Sequence, residues 1–121
     1  SRVENWDIRI TDTIADNASA SHYVLGTKHN TMQGLDLVGC KMKLWVNDEL
    51  VSEGKGEACM GSPINAALWL ANTMVNLGKP LRAGDVILSG ALGPMAPVKP
   101  GDKARASIEG LGEVSVNFST I

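Results

Sequence analysis

Alternating apolar and polar positions predict two β-hairpins in this chain. In the first, over residues 37–52, every second side chain is apolar and a turn is expected at residues 47–49. In the second, residues 104–108 and 114–118 alternate in the same way around a turn at residues 109–112. Since a period of two puts alternate side chains on one face of a strand, each hairpin is expected to bury one face.

A single amphipathic helix is predicted over residues 62–77. Ser62 suits the N-cap and Pro63 the first helical position, while Gly78 suits the position after the last turn. The helix has one apolar stripe, formed by Ile64, Ala67, Leu68, Ala71, Met74 and Val75. We expect this stripe to pack on the sheet, which gives the helix a scaffold role.

Shorter apolar runs predict three further strands, over residues 8–11, 22–27 and 86–88. The last of these, Val-Ile-Leu, is bounded by turn residues, which is typical of a buried strand. The Gly-Lys-Gly sequence at residues 54–56 suits a bulge or a turn. Together the elements predict an α+β fold with a mixed or antiparallel, roll-like sheet and one amphipathic helix.

The composition is that of one domain with an aliphatic core, because 44% of the 121 residues are hydrophobic but only 4% are aromatic. The net charge is −2 and no basic run occurs, which argues against a nucleic-acid partner. No apolar run approaches the roughly 18 residues of a membrane span and no signal peptide opens the chain, so we expect no membrane contact and a cytoplasmic location. Cys40 and Cys59 lack CxxC spacing and are expected to be free, buried thiols.

Two small-residue loops are suited to presenting hydrogen-bonding groups to a ligand. Residues 16–19, Asp-Asn-Ala-Ser, are compact and polar, although Asx and Ser side chains also cap ordinary turns. The other loop begins Ser89-Gly90-Ala91, and its glycines let the backbone approach a ligand with its amides uncovered. Such a loop commonly presents amides to a carboxylate, but a plain turn between two strands is the alternative interpretation.

Four segments of the chain together resemble the 2-keto-4-pentenoate hydratases of the fumarylacetoacetate hydrolase superfamily. They are DTIADNAS at residues 12–19, GSPINAALWLA at residues 61–71, GDVILSGALGPM at residues 84–95, and the Ser1-Arg2 pair followed by Trp6. The resemblance covers almost the whole chain, whereas chains of that family are much longer. Residues 1–121 are therefore expected to be the C-terminal portion of one hydratase domain whose N-terminal half is absent.

The resemblance also implies which residues bind substrate. Ser19 and the backbone of Ala20 are expected to contact the 2-oxo-acid end of the substrate, and Asn17 to support their loop. The second loop is expected to contribute Ser89, Gly90 and Ala91. Many members of the superfamily have a threonine or serine at the position of Ala91, where this chain can offer only its backbone amide.

The resemblance implies Mg²⁺ or Mn²⁺ as cofactor, held by a Glu-x-Glu pair and a third acidic residue upstream of Ser1. A lysine near the start of the family's chains is also implied to take part. None of these groups maps onto this sequence, so no catalytic or metal-binding residue is expected within it, and the segment alone is expected to be inactive.

The implied activity is addition of water to 2-hydroxypenta-2,4-dienoate, or 2-keto-4-pentenoate, to give 4-hydroxy-2-oxopentanoate in the meta-cleavage catabolism of aromatic compounds. The implied protein is a homo-oligomer whose partner is this small dienoic acid. One alternative is a 4-oxalocrotonate decarboxylase or a 2-oxohept-4-ene-1,7-dioate hydratase of the same family. Another is a β-rich scaffold without catalytic activity.

Overall fold

The sheet is antiparallel and four-stranded, and a computed structural model describes it within residues 3–120. Its strands follow the order β2-β1-β3-β4, so the first hairpin and the last lie side by side. The strands are β1 (Lys41–Val46), β2 (Glu49–Lys55), β3 (Lys103–Ile108) and β4 (Gly112–Asn117). The helices are α1 (Ile10–Ala15) and α2 (Pro63–Asn76), and three-residue 3-10 turns occur at Glu4–Trp6, Asn17–Ser19 and Gly56–Ala58.

Both predicted hairpins are confirmed, as is the α+β class with a mainly antiparallel sheet. β1 is central, because Leu44 lies opposite Ser52 of β2 on one side and Ala106 of β3 on the other. The ladder between β1 and β2 shifts after Leu44, which leaves Val51 as an extra residue. The bulge therefore lies at Val51, while residues 54–56 continue β2 and then enter a 3-10 turn.

The predicted helix over residues 62–77 is confirmed within one residue at each end. The Ser62 hydroxyl accepts a hydrogen bond from the amide of Ile64 at 3.2 Å, and Gly78 follows the helix at φ 70°. The expected packing of its stripe on the sheet is wrong, since α2 makes no extended contact with any described strand and Leu68 is 59% exposed. Helical periodicity defines which side of a helix is apolar, but it does not define what covers that side.

The three short strands predicted over residues 8–11, 22–27 and 86–88 do not form. At the first, the amide of Arg9 donates to the Asp12 carboxylate at 2.9 Å, and this capping contact starts α1 at Ile10. The other two segments have no ladder partner within residues 3–120, and Leu88 is 70% exposed rather than buried. An apolar run becomes a strand only when a neighbouring strand completes its backbone hydrogen bonds.

Few side chains are fully enclosed in the part of the chain that the structure describes. The buried residues are Cys40, Ser52, Gly56, Cys59, Ala66 and Asp102. Both cysteines are free and buried, as the sequence predicts. The Ser1-Arg2 pair of the resemblance lies outside the described residues. No helix in residues 3–120 has the length and apolar character needed to cross a bilayer.

Asp102 connects the two hairpins at one end of the sheet. Its carboxylate accepts hydrogen bonds from the side-chain amide of Asn47 and from the backbone amide of Lys99, both at 2.9 Å. The Asn47 side-chain oxygen in turn accepts from the amide of Lys103 at 2.9 Å. The Asn47 hydrogen bond, followed by the Lys99 amide, lowers the pKa of Asp102 although burial acts in the opposite direction.

We predict that Asp102→Asn weakens the acid dependence of stability in the full-length protein. Because the pKa of Asp102 is lower in the folded chain, its stabilisation is present above the unfolded value of 3.8 and is lost as the pH falls through the folded value. The variant should melt at a lower temperature than wild type at pH 6, and its melting temperature should fall less between pH 6 and pH 3. Calorimetry at stepped pH measures this, with exposed Asp85→Asn as control. Equal pH profiles for wild type and Asp102→Asn would contradict the assignment.

Candidate ligand-binding loops

The loop from Ser89 to Pro94 is held at both ends by two side chains, one in β2 and one shortly after it. The hydroxyl of Ser52 in β2 donates to the Pro94 carbonyl oxygen at 2.7 Å. The thiol of Cys59, just after the 3-10 turn that ends β2, donates to the Ser89 carbonyl oxygen at 2.8 Å. Ser52 and Cys59 are only 6% and 5% exposed, so the loop is attached to the best-enclosed part of the described structure.

Two glycines allow the backbone of this loop to lie directly on β2. A Cβ atom on Gly54 would overlap the Leu92 carbonyl group, and one on Gly93 would come within 2.6 Å of the Glu53 carbonyl oxygen. Backbone atoms on both sides leave no flexible group that could move away. The glycine content of the loop and of β2 is therefore explained by close backbone approach.

The backbone amides of Ser89, Gly90 and Ala91 donate no hydrogen bond to any group in residues 3–120. Ser89 is half-buried, whereas Gly90 and Ala91 are exposed. Gly90 has φ 132°, a conformation that residues with a side chain rarely adopt. Consecutive uncommitted amides on an anchored loop are suited to binding a carboxylate.

The first predicted loop is a tight left-handed turn. Asn17, Ala18 and Ser19 have φ values of 50°, 52° and 62°, although none is glycine. The Ser19 amide donates to the Asp16 carbonyl oxygen at 2.8 Å, and the Ala20 amide donates to the Asn17 carbonyl oxygen at 3.0 Å. Left-handed conformations at non-glycine residues cost about 1–2 kcal/mol each, and such strain clusters at functional sites.

These bonds leave different groups available at each predicted residue. The amides of Ser19 and Ala20 are used within the turn, whereas the half-buried Ser19 hydroxyl has no hydrogen bond within residues 3–120. Asn17 supports the turn through its backbone carbonyl, and its side chain is exposed. The Ser19 hydroxyl is therefore the group of this loop best placed to bind a ligand.

The structure brings the segments beside the two loops together, but it does not join the loops themselves. A cavity of about 560 Å³ is lined by Val24, four residues after Ala20, and by Ile87, two residues before Ser89. Its remaining walls come from residues 25, 26 and 28–30 and from the hairpin of β3 and β4. No hydrogen bond among the described residues connects residues 17–20 with residues 89–91.

The described residues do not fit a divalent-metal site. Within residues 3–120, no group of three or more His, Cys, Asp and Glu side chains is arranged to hold a metal ion. His22 contacts the Ser21 hydroxyl at 2.6 Å, and His29 lines the cavity, so the two histidines have separate surroundings.

The sequence does not predict Ser52 and Cys59 as neighbours of the Ser89–Pro94 loop. Ser52 precedes Pro94 by 42 residues and Cys59 precedes Ser89 by 30 residues, so no local spacing links them. The only sequence signal for these contacts is indirect. Ser52 is a small polar residue within a predicted strand and Cys59 is a thiol predicted to be buried, and both need hydrogen-bond partners.

We predict that Gly54→Ala destabilises the full-length protein by about 1–3 kcal/mol, the usual cost of adding an atom to a closely packed contact. The new methyl group would force the Leu92 carbonyl away from β2. Gly26→Ala is the control, because its Cβ would lie 3.3 Å from the Glu113 carbonyl oxygen and needs only a small adjustment. Urea denaturation measures both variants, and an equal loss of stability would show that the Gly54 contact is not tight.

Known proteins match nearly the whole length of this chain. Residues 2–119 match the family described as fumarylacetoacetate (FAA) hydrolase C-terminal. The chain is 54% identical over 119 residues to 2-keto-4-pentenoate hydratase 1 of Dechloromonas aromatica, covering 98% of this chain and 45% of that protein. It is 43% identical over 119 residues to 2-hydroxyhexa-2,4-dienoate hydratase of Comamonas testosteroni, with the same two coverages.

A solved structure shows the same architecture. The 4-oxalocrotonate decarboxylase of Pseudomonas putida G7, complexed with magnesium and adipate, superposes with a TM-score of 0.89 at 33% identity. The match covers 98% of this chain and 45% of the decarboxylase chain, so this chain spans less than half the length of the relatives that it matches. The family match and the identities confirm the resemblance seen in the sequence motifs, and the chain belongs to the fumarylacetoacetate hydrolase family.

Proposed function

We propose that the complete protein is a hydratase that adds water to 2-hydroxypenta-2,4-dienoate and forms 4-hydroxy-2-oxopentanoate. The observation that carries this proposal is the anchored loop with uncommitted amides at Ser89, Gly90 and Ala91, which suits the carboxylate of a small 2-oxo acid. The identity to named 2-keto-4-pentenoate hydratases supports the choice among such acids.

In this proposal the described residues bind and orient the substrate. The amides of residues 89–91 donate to the carboxylate and 2-oxo oxygens, and the Ser19 hydroxyl makes a second contact from the other loop. Asn17 holds the turn that carries Ser19, and Ala20 forms its last residue. Contacts at one end of the dienoate fix the position of the double bonds at the other end.

The groups that transfer protons are proposed to come from the rest of the complete protein. The reaction needs the 2-hydroxyl proton to be removed and a proton to be added at C5, followed by addition of water with its oxygen on C4 and its proton on C3. Within residues 3–120 the buried carboxylate is that of Asp102, and it is already bonded to Asn47 and Lys99. In this proposal the chain supplies binding and orientation, and the acid–base groups lie in the rest of the complete protein.

A divalent cation, Mg²⁺ or Mn²⁺, is proposed to be held by acidic residues outside this chain. The support is that solved relatives carry magnesium or calcium, while the described residues offer no metal site of their own. We further propose that the complete protein is a cytoplasmic homo-oligomer. The 21 large apolar side chains exposed in the described part would be covered by the missing half or by other subunits.

The first test is turnover by the full-length protein with Mg²⁺ or Mn²⁺. We expect the absorbance of 2-hydroxypenta-2,4-dienoate to disappear as 4-hydroxy-2-oxopentanoate forms, identified by mass spectrometry. A full-length protein that shows no turnover and binds no Mn²⁺ would be a scaffold without catalytic activity.

The second candidate is a decarboxylase, favoured by the structural match to 4-oxalocrotonate decarboxylase. A substrate with a second carboxylate would need a further Arg or Lys near the site, and neither residues 16–20 nor residues 89–94 contain one. Release of CO₂ from 4-oxalocrotonate without hydration of the dienoate would refute the hydratase and support this candidate.

We predict that Ser19→Ala in the full-length protein raises KM or lowers kcat by about tenfold, the effect of losing one hydrogen bond to a charged group. Ser21→Ala is the control, because Ser21 lies in the same segment but is exposed and bonds to His22. Steady-state kinetics compare the Ser19→Ala and Ser21→Ala variants. Unchanged kinetics for Ser19→Ala would remove Ser19 from the site.

A further inference from the structure

Two buried side chains, Cys59 and Ser52, bond to the backbone on either side of the Gly90 and Ala91 amides. Cys59 bonds to the carbonyl oxygen of Ser89, the first residue of the loop, and Ser52 bonds to the carbonyl oxygen of Pro94 beyond it. Between these anchors the loop has no helix or strand, and no amide of residues 89–91 bonds to another described residue. Among the described residues, the hydrogen bonds from Cys59 and Ser52 are therefore the polar contacts that fix this stretch of backbone.

Cys59 also shapes the loop sterically. A Cβ atom at Gly90 would lie 3.0 Å from the Cys59 sulfur, so the thiol lies directly against the backbone at Gly90. The bond to Ser89 and the contact with Gly90 act on adjacent residues. A change at Cys59 would therefore move the amides of Gly90 and Ala91 directly, whereas a change at Ser52 acts through Pro94.

Cys40 shows that burial alone does not give a cysteine this role. It is buried to the same extent as Cys59, with 5% of its surface exposed. Its thiol donates to the Leu37 carbonyl oxygen at 3.5 Å, within the segment that precedes β1. Cys40 and Cys59 are thus a matched pair in which only one member contacts the loop.

We propose that Cys59 and Ser52 are positioning residues for substrate binding, and that they hold the amides of residues 89–91 in the geometry that accepts the substrate carboxylate. This inference rests on the proposed function for its substrate, but the anchoring itself follows from the contacts. Since a binding contact acts on substrate and transition state alike, loss of an anchor should change KM more than kcat.

Crystal structures of full-length variants test the anchoring without reference to activity. In Cys59→Ala and Ser52→Ala, the backbone of residues 89–91 should shift from its wild-type position or lose ordered electron density, because a hydrogen bond that fixes the loop is gone. Cys40→Ala should leave the loop in its wild-type position. An unchanged loop in both Cys59→Ala and Ser52→Ala, or an equal displacement in Cys40→Ala, would overturn the proposal.

Steady-state kinetics on the same variants test positioning for substrate. We expect Cys59→Ala to raise KM for 2-hydroxypenta-2,4-dienoate by about threefold to tenfold with kcat within about twofold of wild type. Cys59→Ser keeps a donor and should restore most of the loss, and Cys40→Ala should behave as wild type. Wild-type kinetics in Cys59→Ala despite a displaced loop would refute a role in substrate binding. If the wild type does not turn over the dienoate, the proposed function fails, and the comparison of the variant structures still accepts or rejects the anchors.

Discussion

The contact between β2 and the Ser89–Pro94 loop is the constraint on which the account depends. Glycines at positions 54 and 93 let two backbones meet, and the hydroxyl of Ser52 and the thiol of Cys59 complete the contact. Two of the few buried side chains in the described part serve this contact rather than a conventional apolar core. Two of the best-enclosed side chains of the described structure thus lie beside the loop proposed to bind the substrate.

The elements that could be predicted from the sequence are those whose stabilising partners are close in the chain. Each hairpin contains both of its strands, and α2 carries its own cap at Ser62 and its own terminator at Gly78. The same reasoning failed for residues 86–88, because whether an apolar run forms a strand depends on a distant partner. It also failed for residues 8–11. There the hydrogen bond from the Arg9 amide to Asp12 caps a helix, although apolar and polar residues alternate as in a strand.

The candidate site was predictable only as separate loops. The family motifs predict substrate contacts at Ser19 and at residues 89–91. The left-handed turn at residues 17–19 and the uncommitted amides are consistent with that prediction. The supporting contacts from Ser52 and Cys59 could not be predicted, because they join residues 42 and 30 positions apart without any repeating pattern. The structure aligns the neighbouring segments along one cavity, lined by Val24 and Ile87, which no local rule would have paired.

The most direct test of the central claim is a crystal structure of the full-length protein with a divalent cation and an unreactive 2-oxo acid. The account predicts one ligand whose carboxylate lies within hydrogen-bond distance of amides in residues 89–91 and of the Ser19 hydroxyl. The Cys59–Ser89 contact should remain intact in that complex. A ligand bound elsewhere, with the amides of residues 89–91 bonded to other protein groups, would contradict it.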